Sequence, residues 1–227
     1  MNSRRTIIAT GAVPLLAGLA ISAAIGTSSE AVVAASNRTG SLWSALGFAL
    51  CGLGLLALTR KRDRGSVLAR STSALLALLA IAGLTVAGLH AVAVSAQASA
   101  TPATRSFLLF GPECDLLLSL GYLATAVAVT ALTLTGRKRA GAAVAAALAF
   151  TITLIGMSSL IGAALGLQHT NTPFFYTLLT ATLFPVIGLG LAVTAVGLQA
   201  AVVGFTVLCG VAALLLAAVS LRVARKG

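Results

Sequence analysis

Seven apolar stretches, each close to the length of a membrane-crossing helix, fill nearly all of this 227-residue chain. No acidic, basic or imidazole side chain lies near the middle of any of them. The stretches run over about 6–24, 42–58, 73–94, 116–134, 144–166, 174–193 and 197–221. A helix needs roughly 20 apolar residues to cross a bilayer. Barrel strands would instead give shorter segments of alternating polarity, a pattern this sequence lacks. In hydrocarbon the backbone polar groups must bond internally, so helices are the practical solution. The expected fold is therefore all-α: one integral membrane domain over 1–227, a polytopic bundle of about seven transmembrane helices.

Composition agrees. Mean hydropathy is +1.06, 59% of residues are hydrophobic and 8% are charged. A soluble domain of this size needs far more polar surface. The net charge of +11 would suggest nucleic acid in a soluble protein. Here the cations cluster in short links between apolar stretches, so they set topology and meet anionic headgroups, and no nucleic-acid partner is expected.

Those cations orient the chain. Arg4 and Arg5 precede the first stretch. Arg60, Lys61, Arg62, Arg64 and Arg70 follow the second, and Arg137, Lys138 and Arg139 follow the fourth. All fall on one side, expected to be the cytoplasm of a bacterial inner membrane, with the N-terminus cytoplasmic. Arg38 and Arg105 lie in the opposite links. Seven crossings place the tail cations Arg222, Arg225 and Lys226 outside, against the trend. The first stretch also follows signal-peptide grammar, with Arg4 and Arg5 before an apolar run and small residues after it. Its length of about 20 residues favours an uncleaved helix.

The second, fourth and sixth stretches align with one another. The segments beginning at Ser44 and Thr180 share Ala45 with Ala181, Phe48 with Phe184, Gly52 with Gly188 and Gly54 with Gly190. The fourth stretch places Tyr122 at the aromatic position and Ala126 and Ala128 at the small ones. The simplest description is one lead helix followed by three helical hairpins. Small residues suit this arrangement, because lipid gives no hydrophobic drive for helix association and close backbone approach must supply it. Gly162 and Gly166 repeat the device, and Pro14 and Pro185 are expected to kink their helices.

Ser44-Ala-Leu-Gly-Phe48, the Gly-Leu run after it, the basic turn and the following Ala/Leu helix resemble the polytopic N-terminal sensor regions of bacterial histidine kinases and diguanylate cyclases. Residues 44–90 carry the likeness and 172–192 carry a weaker echo. In those proteins such hairpins precede a cytoplasmic output domain. This sequence holds neither kinase nor cyclase, so the resemblance implies a stand-alone sensor-like module without enzymatic output.

Polar chemistry maps to the outer face. His90 ends the third stretch, His169 follows the fifth, and Glu113, Cys114 and Asp115 lead into the fourth. Convergence of these five would make an outer-face pocket, and His90 and His169 are the candidate metal or haem ligands. The structural alternative makes them interfacial residues, with Asp115 capping the fourth helix. Two carboxylates beside Cys114 disfavour its thiolate. Phe107 and Phe110 either line an apolar surface or join Trp43, Phe174, Phe175 and Tyr176 as membrane-border aromatics. The hydroxyls of Thr151, Thr153, Ser158 and Ser159 are expected to bond back into their own helix.

No phosphate loop, triad or HExxH occurs, and no titratable cluster lies at mid-membrane depth, so ion-coupled transport and intramembrane catalysis are disfavoured. The expectation is a non-enzymatic sensor-like or accessory membrane module, acting through helix packing with a membrane-protein partner or a second copy. The alternatives are a lipid- or small-molecule-handling protein with an outer-face site, and a haem- or metal-binding redox subunit. The sequence names no cofactor.

Overall fold

The computed structural model describes residues 3–27, 38–59, 62–96, 116–134, 139–164 and 174–224, with side-chain surroundings for 3–23, 43–59, 67–85, 88, 118–134, 139–158 and 181–211. These residues form seven helices and no strand: α1 Ser3–Thr27, α2 Arg38–Ala57, α3 Arg62–Ala96, α4 Leu116–Leu134, α5 Arg139–Ala164, α6 Phe174–Val196 and α7 Leu198–Ala224. Within them α1 over Ser3–Ala23, α3 over Val67–Thr85 and α5 over Arg139–Ser158 are long and apolar enough to cross a membrane, and the other four contribute shorter apolar helices. Helix α3 begins at Arg62, not at the expected 73. Hydropathy marks the apolar window, whereas the backbone ladder continues through the charged residues ahead of it.

The first six helices close a ring in chain order, with α1 packed against both α2 and α6. Three of them, α2, α4 and α6, also meet one another across the middle. Neighbours in the ring run antiparallel. Gly11 lies against Gly52 while Gly18 lies against Ala45 and Ala49, so the contact climbs α1 as it descends α2. Between α5 and α6, Gly188 meets Ala149 and Thr153 while Gly156 meets Phe184 and Pro185. The inner three run parallel, since Gly47 meets Tyr122 and Gly54 meets Val129 in the same sense.

Equivalent positions have equivalent surroundings. Residues 45–55, 119–129 and 181–191 repeat one sequence of burial and exposure, broken only where Val127 is more exposed than Leu53 and Leu189. The outer helices repeat too: Ile7, Ala69 and Ala145 are buried, as are Gly11, Ser73 and Ala149, then Pro14, Leu76 and Ile152, then Gly18, Ala80 and Gly156. Two of the seams pair the same groups, more closely at Gly190 than at Gly54. An added Cβ on Gly54 would face Thr72 Oγ1, and one on Gly190 would face Thr10 Oγ1. Thr10 Oγ1 donates to the carbonyls of Thr6 and Ile7, at 2.9 and 3.1 Å, and Thr72 Oγ1 donates to those of Leu68 and Ala69, at 2.9 and 3.0 Å.

This packing regroups the expected elements. The repeating unit is an outer helix followed by an inner one, α1–α2, α3–α4 and α5–α6. The sequence pattern had suggested a lead helix and then α2–α3, α4–α5 and α6–α7. The place between α6 and α2 is filled by α1, and α7 stands outside the ring against α6 and α5. The expectation started each unit at the Gly-Leu helices because only these carry a legible motif. The outer helices share burial at every one of these places but residue type at only some, and burial is a tertiary property.

Helix α7 folds back along α6. Gly197 separates them at φ +88°, a left-handed conformation that glycine adopts without Cβ strain. Its N–H donates to the Val193 carbonyl at 3.1 Å, and its own carbonyl accepts from Ala201 N–H. Gly204 and Phe205 reach Phe150 on α5. By the α5–α6 register Phe150 is level with Gly190, which lies as far before Gly197 along the chain as Gly204 lies after it. Hence α7 runs antiparallel to α6. It packs through Ala201, Gly204, Phe205 and Leu208, and exposes Val202, Val203, Val207 and Val211.

Helices run through Pro14 and Pro185 without interruption. Gly162 lies in α5 with its surroundings undescribed, and Gly166 lies outside the described residues.

Candidate functional site

The parallel inner helices bring the three aligned aromatic positions together. Phe48 and Tyr122 meet edge to face at 5.5 Å, Phe48 and Phe184 tilt at 5.3 Å, and Tyr122 and Phe184 meet at 5.8 Å. All three side chains are fully buried. Centroid spacings in this range are the favoured ones for aromatic pairs. Glycine makes the approach possible, because Gly47 lies beneath the Tyr122 ring and Gly121 beneath the Phe184 ring. The third equivalent position is Leu183, so the closure is pseudosymmetric.

Further layers follow along the same axis. Cys51, Thr125 and Ile187 are buried one turn on, and Leu55, Val129 and Leu191 one turn beyond them. This spacing of three then four residues is that of a helical seam packed knobs-into-holes. The axis is filled by side chains over these three layers.

Polar atoms in the junction are few and mostly satisfied at home. Tyr122 Oη donates to the Ser44 carbonyl at 3.0 Å, linking α4 to α2. Thr125 Oγ1 donates to the Gly121 carbonyl at 2.8 Å. Thr130 Oγ1 donates to Ser73 Oγ at 3.0 Å, joining α4 to α3. Ser119 Oγ is buried against Gly83 with no hydrogen-bond partner. As expected, Thr151, Thr153 and Ser158 donate to the carbonyls of Ala147, Ala149 and Ile155, at 3.0, 2.9 and 2.8 Å. The Ser159 side chain is not described.

Of the five candidate site residues, His90 lies on α3, where its side-chain surroundings are not described. His169, Glu113, Cys114 and Asp115 lie outside the described residues, as do Phe107 and Phe110. The described residues hold no cluster of three or more His, Cys, Asp or Glu able to bind a metal. Cys51 and Cys209 are both free thiols, the first buried and the second exposed.

The junction offers no nucleophile paired with a base among the described side chains. It packs the three inner helices against one another. Sequence reading found Phe48, Tyr122 and Phe184 as aligned positions but missed the Tyr122–Ser44 and Thr130–Ser73 links. Gly121 preceding Tyr122, as Gly47 precedes Phe48, is the signal that points to close packing there.

Comparison with protein-family models, with curated proteins and with solved structures finds no match to this chain.

Proposed function

We propose that this protein is a multi-pass membrane protein of the bacterial inner membrane, with a cytoplasmic N-terminus. It works without catalysis, as a sensor-like or accessory module acting through helix packing and contact with a membrane-protein partner or a second copy. The observation that carries this reading is the outward surface of the ring. Ile8, Val13, Leu16 and Leu19 on α1, and Val67, Leu75, Leu78 and Ile81 on α3, are all exposed large apolar side chains. Water would penalise that surface at about 25 cal/mol per Å² of apolar area, and an exposed apolar belt of this extent marks a membrane or interaction surface. The core supports the second half of the proposal. A close-packed aromatic junction joining three equivalent hairpins responds to a partner by helix displacement, and small displacements in packed cores tend to be discrete.

Membrane fractionation tests the first half. The chain should stay with the membrane pellet through alkaline carbonate and high salt and leave it only with detergent. Release by carbonate would overturn the integral reading. Cross-linking in intact membranes followed by mild extraction tests the second half. A chain that runs solely as an uncross-linked monomer would overturn the partner reading.

A further inference from the structure

At one lipid-facing place a single hairpin of the three carries a charge. At equivalent positions of the outer helices stand Ile8 on α1, Ala146 on α5 and Arg70 on α3, followed by Ala9, Ala147 and Ser71. Arg70 and Ser71 are both exposed, on the side of α3 that also exposes Val67, Leu75 and Leu78.

Arg70 also sits deeper than Arg4, Arg5 and Arg139. On the common register it lies three to four residues further along its helix than Arg5 and Arg4, and seven further than Arg139. At 1.5 Å per residue that is about 5 Å and about 10 Å deeper. Contacts of Thr72 with Gly54 and of Ser73 with Thr130 place it level with the last residues of α2 and α4. Such an arginine keeps its stem in the apolar layer and turns its head toward the border.

Among the described side chains nothing offsets this charge. None of the described side chains is a carboxylate. Asp63 precedes Arg70 by two helical turns, about 10 Å along the axis, and is flanked by Arg62 and Arg64. Ser71 differs from its neighbours as well. Thr72, Ser73 and Thr85 turn their hydroxyls back onto carbonyls of α3, at 2.8 to 3.0 Å. Ser71 makes no such bond within the described residues. A guanidinium with paired donors and an adjacent free hydroxyl donor, both facing lipid at the border of the apolar layer, match a phosphodiester.

We propose that Arg70 and Ser71 bind the phosphate of an anionic phospholipid on the lipid-facing side of α3, a site that one hairpin of the three provides. This rests on the membrane reading above. The test uses the full chain in phosphatidylcholine vesicles carrying a trace of spin-labelled phosphatidylglycerol or spin-labelled phosphatidylcholine, and reads the preference of the protein-restricted lipid for the anionic label. Arg70→Gln should lower that preference about fivefold, the effect of one surface-proximal cation. Ser71→Ala should lower it less, and Arg139→Gln should leave it near wild type.

An unchanged preference in Arg70→Gln overturns the site. An equal loss in Arg139→Gln overturns it too, since diffuse charge would then suffice. Displacement of the labelled phosphatidylglycerol by inorganic phosphate would mean a free-anion site and would also count against it. If no restricted lipid of either kind appears, it is the membrane reading that fails.

Discussion

Adding one methyl group at Gly47 should destabilise this fold, whereas adding the same group at Gly54, two turns along the same helix, should not. A Cβ on Gly47 would stand 2.6 Å from Tyr122 Oη and nearer still to the ring carbons. Carbon contacts prefer about 3.5 to 4.0 Å, so the ring would have to retreat by more than about 1 Å. It has little freedom to do so. Its hydroxyl is bonded to the Ser44 carbonyl at 3.0 Å, and Phe48 and Phe184 close the other sides. Overpacking of this kind costs about 1 to 3 kcal/mol, and losing the hydroxyl's bond adds about 1 kcal/mol. The helix recovers about 1 kcal/mol from replacing glycine by alanine. The net expectation for Gly47→Ala is a loss of about 1 to 3 kcal/mol. A Cβ on Gly54 would meet Thr72 Oγ1 at 3.5 Å and Val129 at 3.6 and 3.9 Å, all ordinary contacts, so Gly54→Ala should be neutral or gain up to about 1 kcal/mol. Reversible unfolding of the detergent-solubilised chain in increasing dodecyl sulfate, followed by circular dichroism, compares the two. Equal stability of both variants, or a Gly54→Ala loss matching that of Gly47→Ala, would refute the pseudo-threefold junction as the source of the constraint.

Three further outcomes follow from the same geometry. Tyr122→Phe keeps the aromatic packing and removes the α4–α2 link, so the same titration should register a loss of about 1 kcal/mol. Thr10→Val and Thr72→Val remove hydroxyls that serve only their own helices, at equivalent seams, so both should change stability by less than about 1 kcal/mol and to the same extent; a large or unequal change would deny the equivalence of the two seams. Since α7 runs antiparallel to α6, a topology reporter fused after Gly227 should read on the side opposite an N-terminal one in intact cells, and a same-side readout would contradict the course of α7.

Phe48, Tyr122 and Phe184 show how far a sequence of this kind can be read. Their alignment needs only the small residues four and six positions after each, and the prediction that these positions are equivalent is matched by their meeting at one point on the axis. The outer helices were not legible in the same way. Gly11, Ser73 and Ala149 share no residue type, yet occupy one buried place. In lipid a buried apolar residue and an exposed one are chemically alike, so the periodic contrast that reveals an inward face in water is absent. The proposed outer-face group of His90, His169, Glu113, Cys114 and Asp115 was read from side-of-membrane placement, which cannot bring residues from separate links together.

What the sequence determined by itself is the number and kind of elements. Seven apolar stretches, spaced by charged or turn-forming links, leave helices as the backbone's economical state, and the described residues form seven. Which helices pair as units was decided by tertiary structure alone. Helix α1 has no Gly-Leu-Gly-Leu run, but Gly11 and Gly18 let it lie close against α2, and Thr10 lies over Gly190 to close the ring. That leaves α7 outside. The physical reason is that helix association here depends on matched small surfaces at backbone distance, a property of pairs of helices that no single stretch of residues records.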